Sequence, residues 1–233
     1  MKKIIKLRSY VKLYGKKLLG YHKRWNYSND RINHEQKMIF VHIPKTAGNS
    51  ITAALNKTNQ IEREERQLSP KIAKHAKAFE IKSLLGKNLW NDYFTFSFVR
   101  NPWDLMVSSY NWWRQKAEQR TKRFKKDARK ISRMDFGQFI HSKYGRYMIN
   151  ERYGNYYDWL CEHGQIIVDY IGKVENIDQD WDKICRKNDL EYIKMPHINK
   201  SVRTSYRDYY NTKTQKIVTD RFKWGIEKFG YSF

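Results

Sequence analysis

The chain is organised as short apolar runs that stop at turn residues, and most of those stops are followed by a helical pattern. Residues 38–43 (MIFVHI) form an apolar run ended by Pro44, too short for a helix and suited to a buried strand. Residues 50–55 (SITAAL) then begin a helix that Asn49 or Ser50 can cap. Residues 93–99 (YFTFSFV) predict a second strand of β-branched and aromatic residues. Asn101 follows as a cap, Pro102 takes the favoured first helical position, and the helix runs to about Trp113. Residues 165–174 (QIIVDYIGKV) predict a third strand, 178–187 a helix, and 212–229 a last helix ended by Gly230. Buried strands alternating with helices predict an α/β fold, a parallel sheet with helices on both faces.

Composition turns this pattern into one domain with an appendage. The 233 residues are 40% hydrophobic, with 8 Trp, 17 Tyr and 11 Phe beside a formal net charge of +23. A disordered chain of that charge lacks the apolar groups for a core, whereas a folded chain of this length buries roughly 70% of its unfolded surface. The expected division is a basic N-terminal arm, 1–35, and a domain, 36–233. No stretch approaches the roughly 18 consecutive apolar residues of a membrane-spanning helix. The N-terminus interleaves Lys and Arg with Leu and Ile instead of presenting an apolar signal core, so a cytoplasmic protein is expected. Cys161 and Cys185 form no CxxC, and no HExxH or clustered His/Cys set occurs; this argues against a disulfide framework or a zinc site.

The charge is concentrated. Residues 1–37 carry 11 Lys and Arg against Asp30 and Glu35, and residues 114–133 carry 10 against Glu118 and Asp127. The remainder is ordinary for a soluble domain. The arm is loosely amphipathic through Ile4, Ile5, Leu7, Val11, Leu13, Leu18 and Leu19, and can lie on the anionic inner face of a membrane, dock on its own domain or stay solvated. The second run follows Tyr110, Trp112 and Trp113. Basic residues beside stacking rings suit a polyanion, a glycan or single-stranded nucleic acid, and equally an exposed helix face.

Both of the strongest strands end in a turn that opens a helix. In the first turn, Lys45, Thr46, Ala47, Gly48, Asn49 and Ser50 combine a cation, small residues and hydroxyls where helix N-terminal amides point outward, an arrangement that binds an anion. It is not a Walker A loop, because Lys45 precedes the only Gly of the turn. In the second, Arg100 stands at the end of its strand, with Ser108 two turns into the helix. A guanidinium fork at the open end of a parallel sheet, with a hydroxyl beside it, suits a phosphate monoester; the alternative is an ion pair with Asp104. Two anion sites at neighbouring strand ends suggest one ligand with phosphates at both ends.

FVHIPKTAGNS, followed about 50 residues later by FSFVRNPWDLMVSSY, resembles the two cofactor-binding signatures of sulfotransferases that use 3′-phosphoadenosine 5′-phosphosulfate (PAPS), in the carbohydrate branch related to the heparan and chondroitin enzymes. The resemblance extends to Lys74-His75-Ala76, Lys173-Val174-Glu175-Asn176, Pro196-His197-Ile198-Asn199-Lys200-Ser201 and Phe229-Gly230-Tyr231, and so covers about residues 38 to 233. It implies a P-loop-like three-layer fold in which Lys45 to Ser50 wrap the 5′-phosphosulfate and Arg100 and Ser108 hold the 3′-phosphate. Asn199, Lys200 and Ser201 are similar to a late loop near the cofactor, whose spent form is adenosine 3′,5′-bisphosphate (PAP). Asn49 stands where relatives often have Thr or another small polar residue.

Sulfuryl transfer asks a protein to position two partners and to neutralise charge growing on the leaving oxygen, a role Lys45 is placed for. A hydroxyl acceptor must also lose a proton, and a neutral imidazole is the natural base. Of seven histidines, His75 resembles the catalytic His of the family; Glu80 is the acidic alternative, and His42, inside its strand, reads as packed. The chemistry requires no metal. A basic surface with exposed Trp and Tyr fits a carbohydrate acceptor, with contacts expected over residues 112–160, and no nucleic acid is expected as partner. The competing classes are a P-loop-type nucleotide phosphotransferase, disfavoured by the failed Walker pattern, and a non-catalytic polyanion or nucleic-acid binder, which leaves both strand-end loops unexplained.

Overall fold

The computed structural model describes residues 27–28, 30–57, 72–119, 125–147, 155–195 and 204–233; most of the basic arm, and with it Asn199, Lys200 and Ser201, lie outside the described residues. The strands are β1 (Tyr27–Ser28), β2 (Ile32–Asn33), β3 (Met38–Val41), β4 (Ile72–Ala73), β5 (Phe94–Val99), β6 (Cys161–Glu162), β7 (Gln165–Ile166) and β8 (Tyr170–Lys173). The helices are α1 (Gly48–Lys57), α2 (Ala78–Leu85), α3 (Lys87–Asp92), α4 (Pro102–Glu118), α5 (Lys125–Ile131), α6 (Phe136–His141), α7 (Lys143–Tyr147), α8 (Tyr156–Leu160), α9 (Ile177–Lys187), α10 (Thr212–Arg221) and α11 (Lys223–Phe229), with 3-10 turns at Val174–Asn176 and Tyr206–Tyr209.

The main sheet has the order β2-β3-β5-β8. β3 and β8 run parallel to β5 on its two sides, and β2 closes one edge antiparallel to β3. All four residues of β3 are buried, and their alternation divides the core. Met38 and Phe40, with Phe96 and Phe98 of β5, pack against Ile51, Ala54 and Leu55 of α1 and Trp181 and Ile184 of α9. Ile39, Val41 and Val99 point the other way, into a larger cluster that includes Ile81, Leu105, Met106, Trp159 and Phe222. Helices therefore cover both faces of a mostly parallel sheet, the P-loop-like three-layer α/β arrangement expected. Among the described residues no helix is long and apolar enough to cross a membrane.

Several expected boundaries shift for local reasons. β2 and β3 pair through Ile32–Ile39 and Asn33–Met38, so the sheet takes in residues read as arm, upstream of position 36. The expected strand 165–174 is two: His163 and Gly164, both at positive φ, form the two-residue turn of a β6–β7 hairpin, and β8 starts afresh at Tyr170. The last helix divides at Phe222, buried at φ −107°, whose ring packs on Tyr156. Gly230 ends α11 in the left-handed conformation expected of it.

The aromatic cluster expected to line a binding face turns inward. Tyr110 and Trp113 are buried, and the Tyr110 hydroxyl donates to the Met134 carbonyl at 2.7 Å. Their spacing on α4 puts them on the face that meets α5 and α6, where the core has room for large rings. Trp112 remains partly exposed. In α5, Ala128 and Ile131 are buried while Lys126, Arg129 and Lys130 face water, the pattern of an amphipathic surface helix.

Candidate functional site

β3 and β5 are parallel neighbours, so the two candidate turns emerge side by side at the same end of the sheet. In the first, Lys45 and Ala47 both adopt positive φ, 68° and 59°, which turns the backbone sharply between strand and helix. Thr46, fully buried, ties the turn down by donating its Oγ1 to the Ile43 carbonyl at 2.8 Å. The Ser50 amide donates to the Ala47 carbonyl at 2.9 Å, so Ala47 flanks the helix that starts at Gly48, and the amides of Gly48 and Asn49 precede its first internal bond. The helix thus begins two residues earlier than expected, and neither Asn49 nor Ser50 caps it. Amides of this kind at the positive end of a helix favour an anion.

Gly48 is dictated by its neighbour. A Cβ there would lie 1.9 Å from His42 Nε2, so only glycine lets the imidazole close under the turn. His42 is buried and stacked on Phe40, with ring centroids 5.4 Å apart. Burial, and after it the neighbouring His75, Lys74, Arg31 and Lys45, hold its pKa well below the ordinary value, so it is neutral. It is packed, as read from the sequence, yet it also touches the candidate base: its ring meets that of His75 edge-on at 4.7 Å.

His75 lies in the turn after β4, three residues before α2, which starts at Ala78. Its Nδ1 is 3.1 Å from the His42 carbonyl oxygen. A carbonyl only accepts, so Nδ1 carries the proton and Nε2 the lone pair, the tautomer a base needs. Burial pushes the pKa down to about 3, with the bond to His42 opposing and the charges of Lys74, Arg31 and Lys45 reinforcing the shift. The acidic alternative, Glu80, accepts a bond from the Lys77 amide at 2.8 Å as part of the α2 cap.

Two cations beside the loop were not assigned a role from the sequence. The Lys74 ammonium donates to Asn49 Oδ1 at 2.9 Å, joining the His75 turn to α1. Arg31, only 2% exposed, pairs with Asp30 and donates to the Ile72 carbonyl at 2.7 Å. Arg31 belongs to the segment whose sequence predicts a basic arm, and pairing of β2 with β3 is what brings it inside. Lys45 extends toward α4, its ammonium 5.5 Å from the centre of the Trp112 ring.

At the second turn, Asn101 caps α4 as expected, accepting from the amides of Trp103 at 3.1 Å and Asp104 at 3.3 Å. Arg100 makes the ion pair weighed for it and one contact the sequence did not suggest. Its Nε pairs with Asp104 at 2.7 Å, and its Nη1 donates to the Lys45 carbonyl at 3.2 Å, which couples the two turns directly. Among the described residues Nη2 has no acceptor, so one arm of the fork remains for an anion. Ser108, half-buried, lies four residues beyond Asp104 and shares its helix face. The structure thus brings Lys45 to Ser50, His75 and Arg100 to one end of the sheet, with Ser108 two turns along the helix that starts there.

Comparison with known proteins shows the family and the fold. Residues 29–232 match the family model of the sulfotransferase family. The chain is 32% identical over 130 residues to an uncharacterized protein of Archaeoglobus fulgidus, a stretch that covers 56% of this chain and 96% of that one. It also shares its fold with the crystal structure of mouse sulfotransferase SULT7A1 complexed with PAP, at a TM-score of 0.52 and 13% identity, over 82% of this chain and 87% of that one.

Proposed function

The chain belongs to the sulfotransferase family, and from that premise we propose that it uses PAPS to sulfate a hydroxyl, or an amine, of a carbohydrate or glycan-like acceptor. The observation that carries this reading is the coupling of two anion-binding turns at adjacent strand ends through the Arg100–Lys45 bond. One ligand with phosphates at both ends fits such a pair. The donor supplies the sulfuryl group and leaves as PAP. Lys45, aided by the amides of Gly48 and Asn49, neutralises charge at the 5′ end, and Arg100 with Ser108 meets the 3′-phosphate. His75 Nε2 takes the acceptor proton. Burial is the main cause of the low His75 pKa, and an anion bound near Lys45 and Lys74 offsets part of the smaller contribution that these cations make.

For the acceptor, support comes from the partly exposed Trp112 beside Lys45, the Lys116 ammonium 5.8 Å from the same ring, and the exposed basic side of α5. Sugar faces stack on such rings, and carboxylates or sulfates pair with such cations. A cytoplasmic location belongs to the same proposal.

The test is thermal stabilisation by PAP, with ATP and 5′-AMP as controls. Ligand at about 100 times its dissociation constant adds roughly 2.7 kcal/mol, a shift of a few degrees for a domain of this size. Stabilisation that needs the 3′-phosphate and is lost in Arg100→Ala is expected. No shift, or an equal one with ATP, overturns the proposal. PAPS-dependent transfer to a panel of neutral and acidic saccharides then tests the acceptor class.

A further inference from the structure

We propose that Tyr156 and Glu175 are positioning residues that set the selectivity for a 3′-phosphate, by fixing the backbone from which Arg100 reaches. The inference rests on the donor reading above. β5 leaves the ladder at Val99, whose partner is Lys173. The amide and carbonyl of Arg100 therefore pass out of the sheet while still part-buried, where a backbone group needs a partner. One side chain serves both: the Tyr156 hydroxyl donates to the Arg100 carbonyl at 2.5 Å and accepts from the Arg100 amide at 3.3 Å. Glu175 takes the next residue, accepting from the Asn101 amide at 2.6 Å.

Each anchor is itself anchored. Tyr156 is 0% exposed, its ring packed on Phe222 and Phe229 with centroids 5.7 and 6.0 Å away. Gly225 leaves it space; a Cβ there would stand 2.5 Å from Tyr156 Cδ2. The Tyr231 hydroxyl donates to the other oxygen of Glu175 at 3.2 Å, and Asn101 Nδ2 donates to the Ser232 carbonyl at 3.0 Å. The motifs at 173–176 and 229–231, which touch no proposed ligand group, thereby acquire a shared purpose behind Arg100.

The chemistry argues against mere packing. A phenylalanine would fill the Tyr156 site equally well, and among the described residues the hydroxyl bonds only to the backbone of Arg100. A carboxylate next to an anion site repels the ligand, so Glu175 works against affinity unless its bond to Asn101 is worth more than that repulsion. A displacement of the Arg100 backbone by a fraction of an ångström is carried to the guanidinium, and a charge-assisted bond through its one remaining arm is sensitive to shifts of that size.

The experiment is calorimetric titration of the full chain with PAP and with 5′-AMP, comparing wild type, Tyr156→Phe and Glu175→Ala. The expected result is that preference for PAP over 5′-AMP falls about tenfold in Tyr156→Phe, with 5′-AMP affinity unchanged, and falls less in Glu175→Ala. A preference equal to wild type in the folded variants overturns the inference, whatever happens to their melting temperatures. If Tyr156→Phe does not fold, Glu175→Ala decides, because that side chain is exposed and its loss leaves the core intact. A wild type that binds both nucleotides equally overturns the donor reading itself and this inference with it, an outcome distinct from selective binding in all three proteins.

Discussion

The two turns at the open end of the sheet do related jobs by different means. The β3–α1 turn is made of backbone: two non-glycine residues at positive φ, a buried threonine hydroxyl and a glycine pressed against an imidazole, all within residues 42–50. The β5–α4 turn has no positive φ and is shaped by groups from far along the chain, the side chains of Tyr156 and Glu175 and the carbonyl of Ser232. A turn that must aim several amides at one point needs its own conformation fixed. One that must aim a single long side chain needs only a firm origin for it, and remote elements can supply that. The first turn also holds the candidate base, through the His42 carbonyl, so chemistry should depend on it and recognition on the second.

The sharpest way to break that division is at His75. His75→Asn keeps a donor for the His42 carbonyl but removes the basic nitrogen, and kcat is expected to fall by about 10²- to 10⁴-fold with little change in PAP affinity. The imidazole adds a signature in stability. Above pH 6.5 it is neutral both folded and unfolded. Between about 6.5 and about 3 the unfolded chain binds a proton that the folded one does not, so stability falls as pH falls. The slope reaches about 1.4 kcal/mol per pH unit for this group, with His42 contributing in the same direction. Denaturant titrations across that range should show a shallower slope in His75→Asn. A large loss of PAP affinity with kcat retained would assign this turn to recognition and undo the comparison.

A smaller effect is expected from Gly48→Ala. The added methyl meets the His42 ring, a rigid group with Phe40 stacked behind it, so the turn has to open. Stability should drop by about 1–3 kcal/mol. The catalytic loss should exceed what that destabilisation explains, because His75 hangs on the same residue. Melting curves and kcat measured on the folded fraction check this; a variant with normal kcat would mean that His42 and the base are not mechanically linked.

The contrast between the turns also explains what was legible in the sequence. Residues 38–50 and 94–104 announce themselves because strand, turn residues and cap are contiguous, and Asn101 caps α4 where its type and spacing say it should. Tyr156 and Glu175 carried no such signal, since their partners lie 56 and 74 residues upstream. The β6–β7 hairpin hid inside an apolar stretch because His163-Gly164 is a weaker turn signature than Asn-Gly. Tyr110 and Trp113 misled for a related reason. Beside a basic run they read as a surface, but on α4 their face is set by the helix period, which turns them toward Phe136, Phe139 and Tyr144. Charge patterning describes one face of a helix and says little about the other.

The smallest effect tests whether strain in the first turn is put to use. Ala47 holds φ at 59°, a region that costs a residue with a Cβ about 1 kcal/mol or more. Ala47→Gly relieves that cost and loosens the unfolded chain, two opposing terms whose balance should raise stability by less than about 1 kcal/mol. PAP affinity should move the other way, because a glycine turn has more freedom to lose when the anion binds. Melting temperature and PAP titration on one preparation read both signs. Opposite signs mean that the alanine trades stability for a turn already shaped to its ligand. If both rise together, the strain serves nothing, and the first turn, like the second, owes its shape to what is packed against it.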